Sequence, residues 1–466
     1  MENSPLNTDT IAAVATAHGT GAVAMIRISG KDSFTICDKI FRLKKTKNFS
    51  ASKCKTQTIH FGEIFFEDVV LDDVLISIFK SPHSYTGEDV IEISCHGSPY
   101  IQQQILQLLI RHNARFANAG EFTLRAFLNG KFDLSQAEAV ADIVSANSSA
   151  SHRAAMLQMR DGFSNKIKLL RNNLINFSSL IELELDFSEE DVEFASRYDL
   201  RQLILSIQQV VQELIQSFEM GNVIKNGVPV CIAGRTNAGK STLMNALLEE
   251  ERAIVSEIPG TTRDVIEDEI VIDGVQFRFM DTAGIQETTD KIESIGILKT
   301  FEKIREAFIV IYLFDIHNTS ISELKNEIEI LKQNINNGTI IIVGNKIDKG
   351  NIIYIKKEFE SFNNILFISA KEKNNLNELK KCLIHIFDSK VSDIPGHIIT
   401  NIRHFEVLCN TRNALANIIQ GIDNKISGEL IANDIRNALY HLGLITGEIT
   451  TDDILKNIFE KFCIGK

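Results

Sequence analysis

The middle of the chain carries the sequence VPVCIAGRTNAGKS, which runs from Val228 to Ser241. Its apolar start is typical of a buried β-strand, and the residues from Gly234 onward match G-x-x-x-x-G-K-[ST]. A helical pattern follows at Thr242–Leu248. Glycines let several backbone N–H groups converge on a polyphosphate, while Lys240 supplies positive charge and the Ser241 hydroxyl can bind Mg²⁺. Strand, loop and helix in this order predict a phosphate-binding loop in an α/β domain.

Strand patterns downstream each end in a short polar motif. They are Val275–Met280 before Asp281-Thr282-Ala283-Gly284, Thr339–Val343 before Asn345-Lys346-Ile347-Asp348, and Ile365–Ile368 before Ser369-Ala370-Lys371. Open α/β sheets bind ligands at the carboxyl ends of their strands, which is where all these motifs fall. The Asp281 carboxylate can reach the Mg²⁺ shell, and a glycine N–H can meet the γ-phosphate. The Asp348 carboxylate can accept N1–H and N2–H₂ of guanine, which adenine does not offer, so GTP is the predicted nucleotide.

The composition is that of an ordinary globular protein, with 466 residues, 44% hydrophobic and 24% charged residues, and a net charge of −12. This length predicts about three domains. The acidic balance argues against a uniformly basic coat for nucleic acid. The cysteines are scattered without a C-x-x-C pair, which favours a reducing compartment. No signal-peptide pattern opens the chain and no apolar run approaches the roughly 18–20 residues that span a bilayer, so we expect a soluble, cytoplasmic protein.

The texture of the sequence predicts a multidomain α/β plus α protein. Residues 1–122 show mixed α/β patterning, and residues 123–225 show long amphipathic stretches typical of helices. Residues 226–390 alternate short β-runs with helical stretches, and residues 391–466 return to helical periodicity. We therefore predict that 226–390 is an α/β domain with a mostly parallel, doubly wound sheet, inserted into a helical domain made of the blocks on either side.

Between the first two motifs lies the segment Ser256-Glu257-Ile258-Pro259-Gly260-Thr261-Thr262-Arg263-Asp264. Thr262 is the predicted second Mg²⁺ ligand. The ordered motifs resemble the translation-factor class of Ras-like P-loop GTPases, but Ile285 stands where members that orient water directly carry glutamine. Asn237 and the Gly260–Asp264 run resemble the potassium-dependent GTPases, in which K⁺ takes the place of an arginine finger. On the residues alone, Asn237 could instead only shape the loop.

Motifs outside this block extend a resemblance over the whole chain. They are Asp9-Thr10-Ile11-Ala12-Ala13, Ile26-Arg27-Ile28-Ser29-Gly30, Ser84-Tyr85-Thr86-Gly87-Glu88-Asp89-Val90-Ile91-Glu92, His96-Gly97, Gly120–Lys131, Gln136-Ala137-Glu138-Ala139 and Cys463-Ile464-Gly465-Lys466. This set resembles the MnmE (TrmE) family of tRNA-modification GTPases. The resemblance implies a homodimer formed through an N-terminal domain that binds formyl- or methylene-tetrahydrofolate. It also implies that two G domains dimerise across the nucleotide with K⁺, which activates GTP hydrolysis.

The same resemblance implies a reaction and a partner. With an FAD-dependent protein, MnmG (GidA), in a heterotetramer or larger complex, family members add a carboxymethylaminomethyl or aminomethyl group to C5 of the wobble uridine of certain tRNAs. Glu293 matches the catalytic glutamate, which is thought to orient water through a second water. Folate would contact Arg27, Glu92, Lys131 and Lys466. A basic side chain can pair with the glutamate tail of folate, and a carboxylate can accept from the pterin edge.

The resemblance also assigns residues around the nucleotide. Mg²⁺ would be held by Ser241 and Thr262, and K⁺ by Asn237, Ser256, Ile258 and Thr261. The full predicted GTP-binding set is Asn237, Ala238, Gly239, Lys240, Ser241, Thr242, Ser256, Glu257, Ile258, Pro259, Gly260, Thr261, Thr262, Asp281, Thr282, Ala283, Gly284, Asn345, Lys346, Asp348, Ser369, Ala370 and Lys371.

The roles of Cys463, His96 and one basic segment each allow more than one interpretation. Cys463 is either a functional thiol near the folate site or a packed small hydrophobe. His96 has no obvious acid/base partner in the sequence, and a structural role beside Gly97 is favoured. The run from Arg42 to Lys55 is basic without an intervening acid, so it is either a tRNA phosphate contact or a solvated loop. The alternative function is a ribosome-assembly GTPase of the Era or Der type.

Overall fold

The computed structural model describes residues 9–44, 49–160, 162–186, 196–251, 267–280, 301–362, 364–392 and 398–465. By their contacts, the described residues form two compact units. The first comprises residues 1–141, 158–203 and 414–466, and the second comprises residues 142–157 and 204–413, each within the ranges just given. Each unit is built on its own β-sheet.

The first unit contains a sheet of seven strands. They are β1 (Ile11–Val14), β2 (Val23–Ser29), β3 (Phe41–Leu43), β4 (Thr58–Phe66), β5 (Val69–Phe79), β6 (Val90–His96) and β7 (Arg115–Phe116). The strand order is β3-β4-β5-β6-β2-β1-β7, antiparallel throughout except for the parallel β1–β7 pair. Side chains alternate across the sheet, so Ile26 and Ile28 are buried while Arg27 lies on the opposite face. The predicted α/β character of this block is confirmed.

Helices alternate with the strands of the first sheet along the chain and then follow them. They are α1 (Ser33–Ile40), α2 (Pro99–Arg111), α3 (Glu121–Leu128), α4 (Leu134–Ser145), α5 (Ser149–Met159), α6 (Gly162–Asp186) and α7 (Arg197–Asn226). Ile36 of α1 and Leu109 of α2 share one buried core with the sheet. The long helical stretch predicted after residue 123 is confirmed. Residue 122, where we place the end of the N-terminal domain, lies inside α3.

The second unit contains a sheet of six strands. They are β8 (Val228–Ala233), β9 (Glu267–Ile272), β10 (Val275–Met280), β11 (Ile309–Asp315), β12 (Thr339–Asn345) and β13 (Ile365–Ile368). The strand order is β13-β12-β11-β8-β10-β9, and every pair is parallel except the β9–β10 hairpin. The predicted mostly parallel sheet is therefore confirmed. Three of the four predicted motifs contain described residues, and these three follow the carboxyl ends of β8, β12 and β13.

The later helices pack on both faces of the second sheet and then complete the chain. They are α8 (Lys240–Glu251), α9 (Ile321–Asn334), α10 (Ile352–Glu358), α11 (Leu376–Ser392), α12 (Ile402–Asp423), α13 (Gly428–Thr446) and α14 (Asp452–Phe459). Leu243 of α8 lies in the core on one face of the sheet, and Leu324 of α9 lies in the core on the other. This doubly wound arrangement is the one predicted for residues 226–390.

The first unit also contains a contact between helices that are far apart in sequence. Helix α6 packs against α13, and ion pairs cross the contact from Arg436 to Glu182 at 3.5 Å and from Arg171 to Glu448. Helices that precede and follow the second sheet in the sequence thus pack together. Among the described residues, no helix is long and apolar enough to cross a membrane.

Candidate functional site

The loop after β8 has the shape of a phosphate cradle. Gly239 has a φ of +101°, and a Cβ built there would lie 2.4 Å from Asn345 Nδ2, so only glycine fits. Helix α8 begins at Lys240, which turns its N-terminal N–H groups toward the loop. Lys240 Nζ donates to the carbonyls of Gly234 at 2.7 Å and Arg235 at 3.1 Å. The loop, the helix N-terminus and the Lys240 ammonium together form a site suited to an anion.

Asn345 ties the phosphate loop to the loops that follow β12 and β13. The side chain is buried, and its Nδ2 donates to the carbonyl of Ala238 at 2.8 Å. Its Oδ1 accepts from the backbone N–H groups of Lys346 at 2.8 Å and Ala370 at 3.0 Å. A buried amide that is hydrogen-bonded through both its oxygen and its nitrogen fixes its surroundings. Three of the predicted GTP-binding motifs are therefore joined through one side chain.

Lys346 makes a second tie between the same loops. Its Nζ donates to the carbonyl of Asn237 at 2.8 Å and to the Asp315 carboxylate at 2.7 Å. Burial acts to raise the pKa of Asp315, but hydrogen bonds from Lys346, from the His317 N–H and from Asn318 hold that pKa below its ordinary value. The carboxylate thus stays charged and keeps Lys346 in place.

Asp348 is exposed at the mouth of this site. Its Oδ1 accepts a hydrogen bond of 2.6 Å from the hydroxyl of Ser369, which is buried. This hydrogen bond is the main reason that the pKa of Asp348 lies below its ordinary value. An ionised, oriented carboxylate is the acceptor that the N1–H and N2–H₂ donors of guanine require. Lys371, predicted in the neighbouring loop, is exposed and lies 3.6 Å from Glu372.

The other residues predicted to bind the nucleotide fall into two groups, those that the structure describes and those outside the described ranges. Ser241 and Thr242 are exposed at the start of α8, and Asn237 is exposed with a φ of +64°. The residues outside the described ranges are Ser256, Glu257, Ile258, Pro259, Gly260, Thr261, Thr262, Asp281, Thr282, Ala283, Gly284, Glu293 and Lys466.

A second candidate site surrounds Arg27 on the first sheet. Arg27 and Glu92 are register partners on β2 and β6, and Glu92 Oε1 accepts from Arg27 Nε at 2.9 Å and Nη2 at 2.8 Å. The guanidinium lies 5.1 Å from the ring centroid of Tyr85 and 5.5 Å from that of Phe122. Both rings can stabilise the cation. The structure thus brings together two of the residues that the resemblance assigns to folate.

Of the remaining folate-assigned residues, Lys131 is described, and it lies near the same loop. Lys131 Nζ donates to the carbonyl of Pro82 at 2.8 Å, in the loop that also carries Tyr85. The C-terminal segment docks nearby, with Ile464 bridging to Ala119 and the carbonyl of Gly465 lying 3.4 Å from Arg27 Nη1. Cys463 is exposed, so the packed alternative for this thiol is wrong.

Tyr85 and Phe122 belong to motifs that carry the resemblance, yet their role escapes the sequence analysis. The Tyr85 hydroxyl lies 2.9 Å from Thr123 Oγ1, its ring makes an edge contact with Phe132, and burial raises its pKa above the ordinary value. Aromatic residues near a cation are common in folded cores. Only the fold, which brings the loop with Tyr85 and the helix α3 with Phe122 next to β2, shows that these rings contact Arg27.

A buried ionic cluster beside this site also has no signal in the sequence. Arg125 on α3 has only 1% of its side chain exposed, and it contacts the carboxylates of Asp9 at 2.6 Å, Glu121 at 3.0 Å and Glu88 at 3.2 Å. Arg115 Nη2 donates to Glu121 at 2.6 Å. Burial acts to raise the pKa of Glu121, but the two arginines and the Asn118 N–H keep it below its ordinary value. The cluster fixes α3 against the sheet.

The first sheet corrects one expectation from the sequence and bears on a second. His96 does have a partner, because its Nδ1 lies 2.6 Å from the buried Asp72 carboxylate, which also accepts from the His96 N–H. The partner is 24 residues away, which is why the sequence does not reveal it. In the basic run from Arg42 to Lys55, Arg42 pairs with Glu63 and Lys44 with Asp73. These pairs favour the solvated-loop reading of that run.

Two protein-family models match this chain, and together they include the residues of both candidate sites. The family model "GTP-binding protein TrmE N-terminus" matches residues 10–131, and "MnmE helical domain" matches residues 134–463. The protein "tRNA modification GTPase MnmE" of Cytophaga hutchinsonii is 53% identical over 99% of this chain and 98% of its own length. The chain belongs to the MnmE family of tRNA modification GTPases. The family member of Flavobacterium johnsoniae is 54% identical over 99% of this chain and 100% of its own length.

Among solved structures, Era in complex with MgGDPNP and ribosomal RNA is 27% identical over 40% of this chain and 65% of that chain. Its TM-score of 0.27 is too low to carry an argument. MnmE family membership rests on the full-length relatives, and it makes the chain a GTP-hydrolysing enzyme of tRNA modification. The Era or Der alternative has no comparable support along the whole chain.

Proposed function

We propose that this chain is a K⁺-dependent GTPase that works with an FAD-dependent partner, MnmG (GidA), on the wobble uridine of certain tRNAs. In this reaction the complex adds a carboxymethylaminomethyl or aminomethyl group to C5, with formyl- or methylene-tetrahydrofolate as the one-carbon donor. The observation that carries the proposal is that one chain contains both the phosphate loop bonded to Asn345 and the Arg27–Glu92 ion pair. An isolated GTPase switch needs only the first. The domain boundaries at residues 122, 225 and 390 and a cytoplasmic location belong to the same proposal.

The nucleotide site supports GTP hydrolysis through positioning and charge. Lys240 and the N-terminus of α8 neutralise the phosphates, Asp348 selects guanine, and Ser241 with Thr262 would hold Mg²⁺. Bound K⁺ would supply positive charge against the charge that develops on the γ-phosphate. Asn237 is one proposed K⁺ ligand, with Ser256, Ile258 and Thr261, and Glu293 is the proposed water-orienting residue.

The exposed face of the first sheet supports homodimerisation. Phe61 on β4 and Leu75 on β5 are cross-strand partners, and both side chains are about half exposed, at 53% and 45%. Ile59, two residues before Phe61, is also exposed on this face. Contiguous exposed apolar surface is a feature of protein–protein interfaces. A second copy is the partner that the family resemblance implies.

Deletion of the gene tests the proposed function as a whole. We expect tRNA from the deletion strain to lack the C5 modification of the wobble uridine in mass spectra of nucleosides, and the intact gene to restore it. A strain without MnmG is the matched control and should show the same loss. Normal modification in the deletion strain would overturn the proposal.

Substitution of Arg27 tests the folate site. Because Arg27 offers charged hydrogen bonds to a carboxylate, we expect R27A to weaken 5-formyl-tetrahydrofolate binding by about tenfold or more in calorimetric titration. Arg42 provides the control, since it also pairs with a glutamate across neighbouring strands and lies 4.8 Å from an aromatic ring, that of Phe65. An R42A variant should bind like the wild type. Equal weakening in both variants would contradict the assignment.

Asn237 offers a direct test of the potassium proposal. We expect GTP hydrolysis to be faster in K⁺ than in Na⁺, and N237G to lose most of that stimulation, about tenfold, because the variant lacks a proposed ligand of the K⁺ that would meet the developing charge. Glycine tolerates the left-handed backbone at this position, so the carbonyl that accepts from Lys346 stays in place. GDP binding should therefore persist in N237G. Equal rates of wild-type hydrolysis in the two salts would defeat the proposal.

A further inference from the structure

One exposed side chain, His317, contacts the backbone on both sides of the turn that contains Asp348. Asp348 lies in a short 3₁₀ turn, Ile347–Lys349. On one side of this turn, His317 Nε2 lies 3.2 Å from the carbonyl of Lys346. On the other side, the His317 ring lies against Gly350, where an added Cβ would be 2.8 Å from Cε1. The imidazole therefore touches the chain immediately before and immediately after the turn.

The backbone around His317 holds the ring in this place. The His317 N–H donates to Asp315 Oδ1 at 3.0 Å, and Asp315 Oδ2 accepts from Lys346 Nζ at 2.7 Å. Asp315 thus restrains the Lys346 side chain while His317 contacts its carbonyl. Lys346 has a φ of +76°, a backbone conformation that a side-chain-bearing residue adopts only when its surroundings favour it. The contacts from β11 supply such surroundings.

The position of His317 points to a role other than core packing. The side chain is exposed, and substitutions at exposed sites away from special features change stability little. A lost contact at Lys346 would instead widen the range of positions that the Asp348 carboxylate samples. Recognition of guanine needs that carboxylate at hydrogen-bonding distance from two donors at once.

We propose that His317 is a positioning residue for guanine recognition, which holds the Asp348 turn in its binding-competent conformation through Lys346 and Gly350. The inference rests on the proposed role of Asp348 in binding guanine. It concerns nucleotide affinity, not the chemical step, so kcat for GTP hydrolysis should be unchanged while KM rises.

Variants of His317 test the inference in the full-length protein. We expect H317A to release fluorescently labelled GDP about threefold to tenfold faster than the wild type, the effect of losing one hydrogen bond. H317Q should restore the wild-type rate, since its amide nitrogen can reach the Lys346 carbonyl. H385A, which removes another exposed histidine on α11, is the control and should not change the rate.

Gly350 gives an independent test of the same contact. The φ of Gly350 is −155°, which any residue adopts, so G350A adds a methyl group against the imidazole without backbone strain. We expect G350A to accelerate GDP release as H317A does, and the double variant H317A/G350A to be no faster than H317A alone. Additive effects, or a wild-type rate in H317A, would overturn the role of His317. A wild-type protein that did not prefer GDP over ADP would instead overturn the role of Asp348.

Discussion

Replacing Asp348 with asparagine should lower the affinity for GTP by about a hundredfold or more and create affinity for xanthosine triphosphate. The carboxylate accepts from two donors of guanine, whereas an asparagine amide would place its own NH₂ group against one of them. Xanthine carries a carbonyl at that position, which accepts from the amide. The Ser369 hydroxyl can still donate to an amide oxygen, so the turn should keep its shape.

Competition between labelled GDP and unlabelled nucleotides measures this change. The control is D388N, which makes the same substitution at an exposed aspartate on α11. D388N should retain wild-type selectivity. If D348N still bound GTP as the wild type does, guanine would be recognised by other groups and the site assignment would be wrong.

Replacing Arg125 with methionine should destabilise the first unit by about 3 kcal/mol, because it removes one of the two arginines that pair with the buried Glu121 carboxylate. Glu121 is 2% exposed and contacts Arg125 at 3.0 Å. Arg201 provides a matched control, since its pair with Asp423 is exposed on both sides and should contribute less than about 1 kcal/mol. R201M should therefore melt close to the wild type. Calorimetry and far-UV circular dichroism suit this chain, which contains no tryptophan.

The same cluster predicts a pH dependence. Burial acts to raise the pKa values of Glu121 and Asp9, but hydrogen bonds from the arginines keep both below their ordinary values. Their contribution to stability is therefore complete above the pKa values of the unfolded chain, about 4, and is lost as pH falls through the lower folded values. The difference in melting temperature between wild type and R125M should shrink as the solution is acidified. A constant difference would show that the effect is one of packing alone.

The second sheet is largely predictable from the sequence because its signals are local. An apolar run followed by Gly234 to Ser241 specifies strand, loop and helix within a few residues. The motif containing Asn345 and Asp348 is likewise continuous, and the chemistry of guanine assigns the carboxylate. The contacts of His317 are not predictable in this way, since a histidine after a strand has no pattern that indicates a nearby carbonyl.

The side-chain contacts of the first unit are not predictable from the sequence, because they join residues that lie far apart in the chain. Asp9 and Arg125 meet although they lie 116 residues apart, and Arg27 meets Gly465 across 438 residues. Neither charge nor periodicity indicates which distant residue closes such a pair. The family motifs predict which residues matter near Arg27. The contacts of Arg27 with Tyr85 and Phe122 follow only from the fold, which brings the loop before β6 and the helix α3 next to β2.

The packing of α6 against α13 has a consequence for how the protein is made. A ribosome that has completed α6 must add about 240 further residues before α13 begins, which takes roughly 12–50 seconds at bacterial rates of elongation. During that interval the inserted α/β domain can fold as it emerges. The face of α6 that packs against α13 in the folded protein has not yet gained that partner. We therefore expect the face of α6 that α13 later covers to stay exposed until the last part of the chain is synthesised.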